Sequence, residues 1–331
     1  MSPEIKRRLK IFQQSKPAML AMFFLIALGF LSTFSEWVTN SKPVFGVING
    51  KFVVPAYVDY NKADLGSEGA GLPDYRELKP NFSWALWPVF NWDPIENDIE
   101  LEPFMFPPTG THIMGSDVAG RDVFARLLYG ARISFVFALG CWFFTYLIGT
   151  SLGLAQGFYG GKIDLVGQRI VEIFSSIPVL YLLLLLISLI SPNLFFLVVI
   201  ASVFGWVSIS QYMRGEALKN RSLVYTEAAR ALGATQSRLI FRHILPNSLI
   251  PLVTFSPFAI VGFISYLSSL DFLGFGVPAP TPSWGELFDQ ARSNFQTAWW
   301  LATFPTLFVF FTVVALNFIG EALRSAFDPR A

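Results

Sequence analysis

The chain has 331 residues, 53% of them hydrophobic and 14% charged, with a formal net charge of +1. Soluble domains carry roughly 25% charged residues, so this is a membrane composition, and the near-zero net charge excludes a globally basic nucleic-acid binder. The single cysteine, Cys141, lies in an apolar run, which excludes an internal disulfide and a cysteine-rich metal site and leaves a small packing residue.

Lys6, Arg7, Arg8 and Lys10 precede the apolar run Ala18 to Phe34. This has the outline of a signal peptide. The run continues through Trp37 and Val38, however, reaching the ~20 residues a span needs, and no small-x-small cleavage site follows. The reading is an uncleaved first span, 18–38, behind a tail at 1–17. The segment 39–114 differs in kind. It is rich in Pro, Asn, Trp and acids, as in "NWDPIENDIELEP", and the alternating "FGVINGKFVVPAYVDY" predicts a hairpin around Asn49-Gly50. It is too polar to span and forms a small cap. In "GSDVAGRDVFARLLYGARIS", Gly115 to Ser134, the charges Arg121, Asp122, Arg126 and Arg132 are too costly for the bilayer centre. Val123, Phe124, Leu127 and Leu128 share one helical face, so residues 115–132 are expected to form an interfacial helix on the membrane surface.

Five further apolar segments follow, near Ile133–Ala155, Val166–Ile190, Leu194–Met213, Leu249–Leu270 and Ala298–Gly320. Ser191-Pro192-Asn193 is a turn between two of them, and Pro178 and Pro305 are expected kinks. The organisation expected is thus a five-helix domain over 133–320 after the first span, with a polar loop at 214–248 and a tail at 321–331. The N-terminal tail and the 214–248 loop hold most of the Lys and Arg in short loops. The positive-inside rule therefore places both, and by parity the C-terminus, in the cytoplasm and the cap outside.

Chemistry of its own is hard to find. "QGFYGGKI", Gln156 to Ile163, lacks the first glycine and the Ser/Thr of a P-loop and reads as a Gly-rich turn. His112 and His243 fall on opposite sides of the expected membrane and cannot share a metal. The spans are nearly free of the ionisable groups an ion-driven transporter uses. Arg169 and Glu172 are spaced to pair along one helix.

The polar loop holds "YTEAARALGATQSRLIFRHILPN", Tyr225 to Asn247. Val224, Ala228, Ala231 and Leu232 share one helical face, and Glu227 can pair with Arg230. Gly233 suits a left-handed helix end, Thr235 can cap a second helix, and Pro246 is expected to limit that helix. Small Ala228 and Ala229 would let another backbone approach. A DNA-reading helix–turn–helix has a similar outline, but spans flank the pair and no third helix is available.

Glu227-Ala228-Ala229, Gly233 and Ile244-Leu245-Pro246 resemble the EAA loop of ATP-binding cassette (ABC) importer permeases. "GSDVAGRDVFARLLYGARIS", "GFYGGKID", "FLGFGVPAPTPSWGELF" and "LNFIGEALRSAFDPR" are similar to the C-type permease subunit of dipeptide and oligopeptide importers. The long 39–114 insertion resembles the Yej-type permeases, linked to microcin C and longer peptides. The resemblance implies an all-α integral membrane protein of six transmembrane helices with the type I importer permease fold. It implies a coupling helix that contacts an ATPase subunit through Tyr225, Glu227, Ala228, Ala229, Arg230, Ala231, Leu232, Gly233 and Ala234, with Thr235 and Pro246 shaping the loop. The implied partners are a homologous permease subunit, two ATPase subunits that hold ATP and magnesium, and a periplasmic substrate-binding protein. This chain itself would bind no cofactor and catalyse no bond change. The rival readings are a permease for another cargo such as nickel, and a secondary transporter working without ATPase partners.

Overall fold

The structure is a computed structural model and describes residues 3–66, 71–98, 105–190 and 193–327. The chain divides into two compact units. One comprises Met1–Leu25, Phe135–Pro278 and Phe311–Ala331, and the other Ile26–Ser134 and Ala279–Phe310.

Helices α1 (Pro3–Gln14), α2 (Lys16–Thr33) and α3 (Ser35–Val38) open the chain, and strands β1 (Phe45–Ile48), β2 (Lys51–Val53) and β3 (Phe82–Leu86) follow. Then come α4 (Val123–Tyr159), α5 (Gly161–Ser176), α6 (Val179–Leu189), α7 (Leu194–Arg221), α8 (Val224–Ala231) and α9 (Gln236–Arg238). A π-helical turn, Leu239–Ile244, leads into α10 (Leu245–Phe272), and α11 (Trp284–Ser293) and α12 (Trp299–Phe327) complete the order. Among the described residues five helices are long and apolar enough to cross a membrane: Lys16–Thr33, Val123–Tyr159, Leu194–Arg221, the continuous Gln236–Phe272 and Trp299–Phe327. A sixth crossing is available if α5 and α6, bent by 71° at the break before Pro178, make one broken span. Of the expected Ser191-Pro192-Asn193 turn, the first two residues lie outside the described residues. Asn193 caps α7, its side chain accepting from the Phe196 N–H at 2.8 Å.

In the first unit, α4 and α7 pack with backbones in near contact. Gly149, Gly153 and Gly157 repeat at every fourth residue and form a groove. A Cβ on Gly153 would meet the Ser210 carbonyl at 2.3 Å, and one on Gly157 the Arg214 carbonyl at 2.5 Å. The bidentate pair of Arg214 with Asp164, at 2.5 and 2.7 Å, ties α7 to α5. Gly160 and Gly161, both at positive φ, make the turn expected at "QGFYGGKI". Arg169 and Glu172 pair on the exposed side of α5, and Cys141 is buried beside Val198.

The second unit holds the cap. β1 pairs antiparallel with β2 and with β3, giving the order β2-β1-β3. The β1–β2 hairpin turns at Asn49 (φ 50°) and Gly50 (φ 73°), as a type I′ turn requires. Ile48, Val53, Leu65 and Tyr75 form its core, where burial pushes the Tyr75 phenol up to about 12. Trp87 packs on that core and Trp92 stacks on His112 with ring centroids 4.1 Å apart. His112 is buried, with Nδ1 2.8 Å from Asp122 and Nε2 3.3 Å from Asp98. Part of the acidic run, residues 99–103, lies outside the described residues.

The interfacial helix expected over 115–132 is not a separate element. Residues 115–122 form a turn, and α4 then runs unbroken from Val123 to Tyr159. The charges that argued against continuation are neutralised inside the unit. Arg126 is fully buried and pairs with Glu286, and Arg121 bridges Asp117 and Glu286 at 2.7 and 2.9 Å. Arg132 grips Glu36 at 2.7 Å. Trp284 on α11 donates to the Leu127 carbonyl, and Trp300 on α12 to that of Ser116, both at 2.9 Å.

Candidate functional site

The segment 214–248 is almost wholly helical. The last turns of α7 carry it from Arg214 to Arg221, a two-residue bend follows, and α8 begins at Val224. The bend is fixed by polar side chains. Thr226, fully buried, donates to the Asn220 carbonyl at 2.8 Å. The Asn220 side chain accepts from the Tyr225 hydroxyl at 3.0 Å and donates to Ser248 at 3.2 Å, so one amide joins α7, α8 and α10. Asn247 donates to Tyr225 from the other side at 3.2 Å. Arg221 donates to the Gly157 carbonyl at 2.9 Å, which secures the end of α7 against α4.

The turn after α8 has the geometry its glycine predicts. Gly233 sits at φ 84°. Its N–H donates to the Arg230 carbonyl and the Ala234 N–H to the Ala229 carbonyl, both at 3.0 Å, the paired bonds of a Schellman ending. The Thr235 hydroxyl accepts from the Arg238 N–H at 3.3 Å and starts the next helix. Pro246 does not stop that helix. The helix widens to a π turn over Leu239–Ile244 just before the proline, then continues to Phe272. A proline lacks the N–H of the regular ladder and its ring collides with the carbonyl four residues back, and the π turn shifts that ladder register.

Val224 and Leu232 are 82% and 89% exposed, and Glu227, Ala228 and Ala231 are exposed beside them. The apolar face of α8 therefore points outward. The other side seats the loop: Ala229 and Ala234 pack on the buried cluster of Leu154, Phe158, Met213, Ala217, Leu239, Ile244 and Leu252. Ala228 is exposed, while Ala229 is half-buried with its inner side on this core. One expectation changes. No ion pair joins Glu227 to Arg230 among the described residues; both side chains extend into solvent. The helix–turn–helix outline also resolves here, because the second helix is the start of a 37-residue membrane helix and cannot enter a DNA groove.

The anchors Asn220, Ser248 and Thr226 did not stand out in the sequence. The four-residue spacing of Gly149, Gly153 and Gly157, not singled out above, was the available signal for the same scaffold, since it seats α7 on α4.

The first unit also carries an open pocket of about 420 Å³. Its wall is mostly apolar, with Thr145, Tyr146, Ser208 and Tyr266 supplying hydroxyl groups and no charged residue present.

The short helix α8, seated against long apolar helices, presents an exposed apolar edge. Residues 146–331 match the family described as the binding-protein-dependent transport system inner membrane component. The chain belongs to this family. As a member, the permease is a multi-pass inner-membrane transport subunit of the ABC importer class. It is similar to the inner membrane ABC transporter permease protein YejE of Escherichia coli (strain K12), with 39% identity covering 99% of this chain and 98% of that one. It is also similar to the peptidoglycan transport system permease protein YejE of Agrobacterium fabrum, with 36% identity covering 99% and 94%. The solved inward-facing MetNI methionine ABC transporter shares its fold, with a TM-score of 0.51, 23% identity, and coverage of 61% of this chain and 97% of that one.

Proposed function

We propose that the permease forms half of an import pathway for peptides or peptide-like compounds, the other half coming from a homologous permease subunit. Two ATPase subunits, which hold the ATP and magnesium, dock on the cytoplasmic side, and a periplasmic binding protein delivers the cargo. The observation that carries the coupling role is the outward apolar edge of α8, Val224 and Leu232, on a loop braced through Asn220 to three helices. An apolar edge flanked by exposed polar residues such as Glu227 and Arg230 has the make-up of a protein contact surface. Bracing lets a push on α8 move α7 and α10 as rigid bodies instead of dissipating in a flexible loop.

The cargo reading is supported by the peptidoglycan transport system name of the Agrobacterium relative and by the motifs similar to dipeptide and oligopeptide permeases. The pocket, with hydroxyls and no charge, suits a route whose selectivity is exercised by a delivery partner. We read α5 and α6 as one broken span, which gives six crossings, both termini in the cytoplasm and the cap outside.

The test replaces Leu232 and Val224 by Asp. The chain should remain in the membrane at normal level but lose ATPase co-purification and peptide uptake. Retention of both would remove the coupling role. Orientation is checked with a lone cysteine at Ala63 or Ser237 in a Cys141→Ala background. An impermeant thiol reagent should label only residue 63 in cells with a permeabilised outer membrane, and labelling of residue 237 would reverse the topology.

A further inference from the structure

Both faces of the cap's sheet are apolar. Ile48, Val53 and Phe82 turn toward the cap core. On the opposite face, register places Phe45 beside Leu86, and Val47 between Phe52 and Trp84. Phe52 is 66% and Trp84 56% exposed, and Leu86 is exposed beside them. An antiparallel sheet with one face in water alternates apolar and polar residues. This one does not, and no charged residue stands among Phe45, Val47, Phe52, Trp84 and Leu86.

The exposed face does not end at the sheet. Phe45 meets Trp37 with ring centroids 6.0 Å apart, Trp37 meets Phe34 at 6.3 Å, and Phe34 meets Phe30 at 4.8 Å. On the sheet itself Phe45 meets Trp84 at 5.7 Å and Phe52 at 6.4 Å. An unbroken line of rings therefore runs from the outward side of the membrane helix α2 across α3 onto the sheet. Ile26 and Phe30 are exposed on that helix, and Phe34 just past its end, and the medium that covers the exposed face of a membrane-spanning helix is lipid. The Trp37 indole N–H donates to the Tyr57 hydroxyl at 2.9 Å. The ion pair of Lys42 with Asp59 stands nearby at 2.6 Å. Aromatic rings next to charges and continuous with a span are the composition of a membrane–water interface.

We propose that this sheet face lies in the headgroup region of the bilayer, so that the cap is a membrane-seated element and not a free soluble lobe. The occupant of the face is lipid. Seating would hold the cap against the membrane and leave Trp87 and Trp92, both packed inside the unit, with no part in the contact.

The experiment places single nitroxide labels at Phe52→Cys and Trp84→Cys in the full-length chain carrying Cys141→Ala. The chain is reconstituted in liposomes of phosphatidylethanolamine and phosphatidylglycerol. Phe30→Cys serves as the lipid reference and Ala63→Cys as the water reference. The ratio of oxygen to nickel-chelate accessibility at 52 and 84 should be several-fold above that at 63 and approach that at 30. A ratio equal to that at 63 overturns the proposal in favour of a free face. Shielding from both reagents overturns it in favour of a protein partner. Because either substitution can weaken the sheet, the unsubstituted chain is also labelled with a photoactivatable phospholipid and digested. Adducts on the peptides holding Phe52 and Trp84 support lipid seating, and adducts confined to the long helices overturn it.

Discussion

The Tyr225 hydroxyl donates to the Asn220 side-chain carbonyl at 3.0 Å, while the same amide donates to Ser248 at 3.2 Å. One residue at the end of α7 therefore sets the position of α8 relative to α10. A buried polar group left without its partner costs about 1–3 kcal/mol. Asn220→Ala strips partners from both Tyr225 and the buried Ser248 and should loosen α8 without unfolding the spans. Hydrogen exchange should show faster exchange over residues 224–234 and an unchanged long-helix core. Tyr225→Phe, losing one hydroxyl, should show a smaller increase.

Gly233 is the position where backbone and not packing decides the residue. Its φ is 84° and a Cβ there meets nothing within 4 Å. A non-glycine residue in the left-handed region costs roughly 1–2 kcal/mol, with asparagine tolerated better and β-branched residues worst. Gly233→Asn should keep near-normal uptake, Gly233→Ala should reduce it, and Gly233→Val should reduce it most. Equal activity of the three would mean that the turn does not transmit motion.

Gly153 tests the opposite case. An added Cβ collides with the Ser210 carbonyl at 2.3 Å and with the Met213 Cβ at 2.8 Å. Backbone atoms cannot rotate away, so α4 and α7 must separate. Overpacking of this kind costs about 1–3 kcal/mol, and Gly153→Ala should lower the thermal midpoint in detergent. Gly215→Ala on α7, where nothing lies within 4 Å, should leave the midpoint unchanged or raise it slightly through helix propensity.

Glu286 holds two arginines, Arg121 and the fully buried Arg126. Removing one side of a buried pair typically costs about 3–5 kcal/mol because the remaining charge stays desolvated. Arg126 keeps a 3.3 Å approach to Asp117, which places Glu286→Ala at the lower end of that range. Arg126→Met combined with Glu286→Met should recover much of the loss, since it removes both charges together. Thermal unfolding of the full-length chain measures both, and a double variant no better than the single one would show that the network does more than neutralise charge.

The sequence alone determined the membrane class, the apolar segments, the Asn49-Gly50 hairpin, and the Gly233 turn with its Thr235 cap. These rest on local physics: run length against bilayer thickness, and residues whose backbone preferences are strong enough to act within a few positions. Motif spacing went further, through resemblance, to the importer family. Only the tertiary structure decided what the charges and small residues do. Arg126 is tolerable at the start of an unbroken helix because Glu286, 160 positions later, meets it. The inner side of Ala229 rests on Leu239 and its neighbours, and Pro246 is carried through by a π turn that no propensity announces. The exposed sheet face was equally hidden. Alternation shows which residues share a face, but which face is covered depends on what the rest of the chain brings against it.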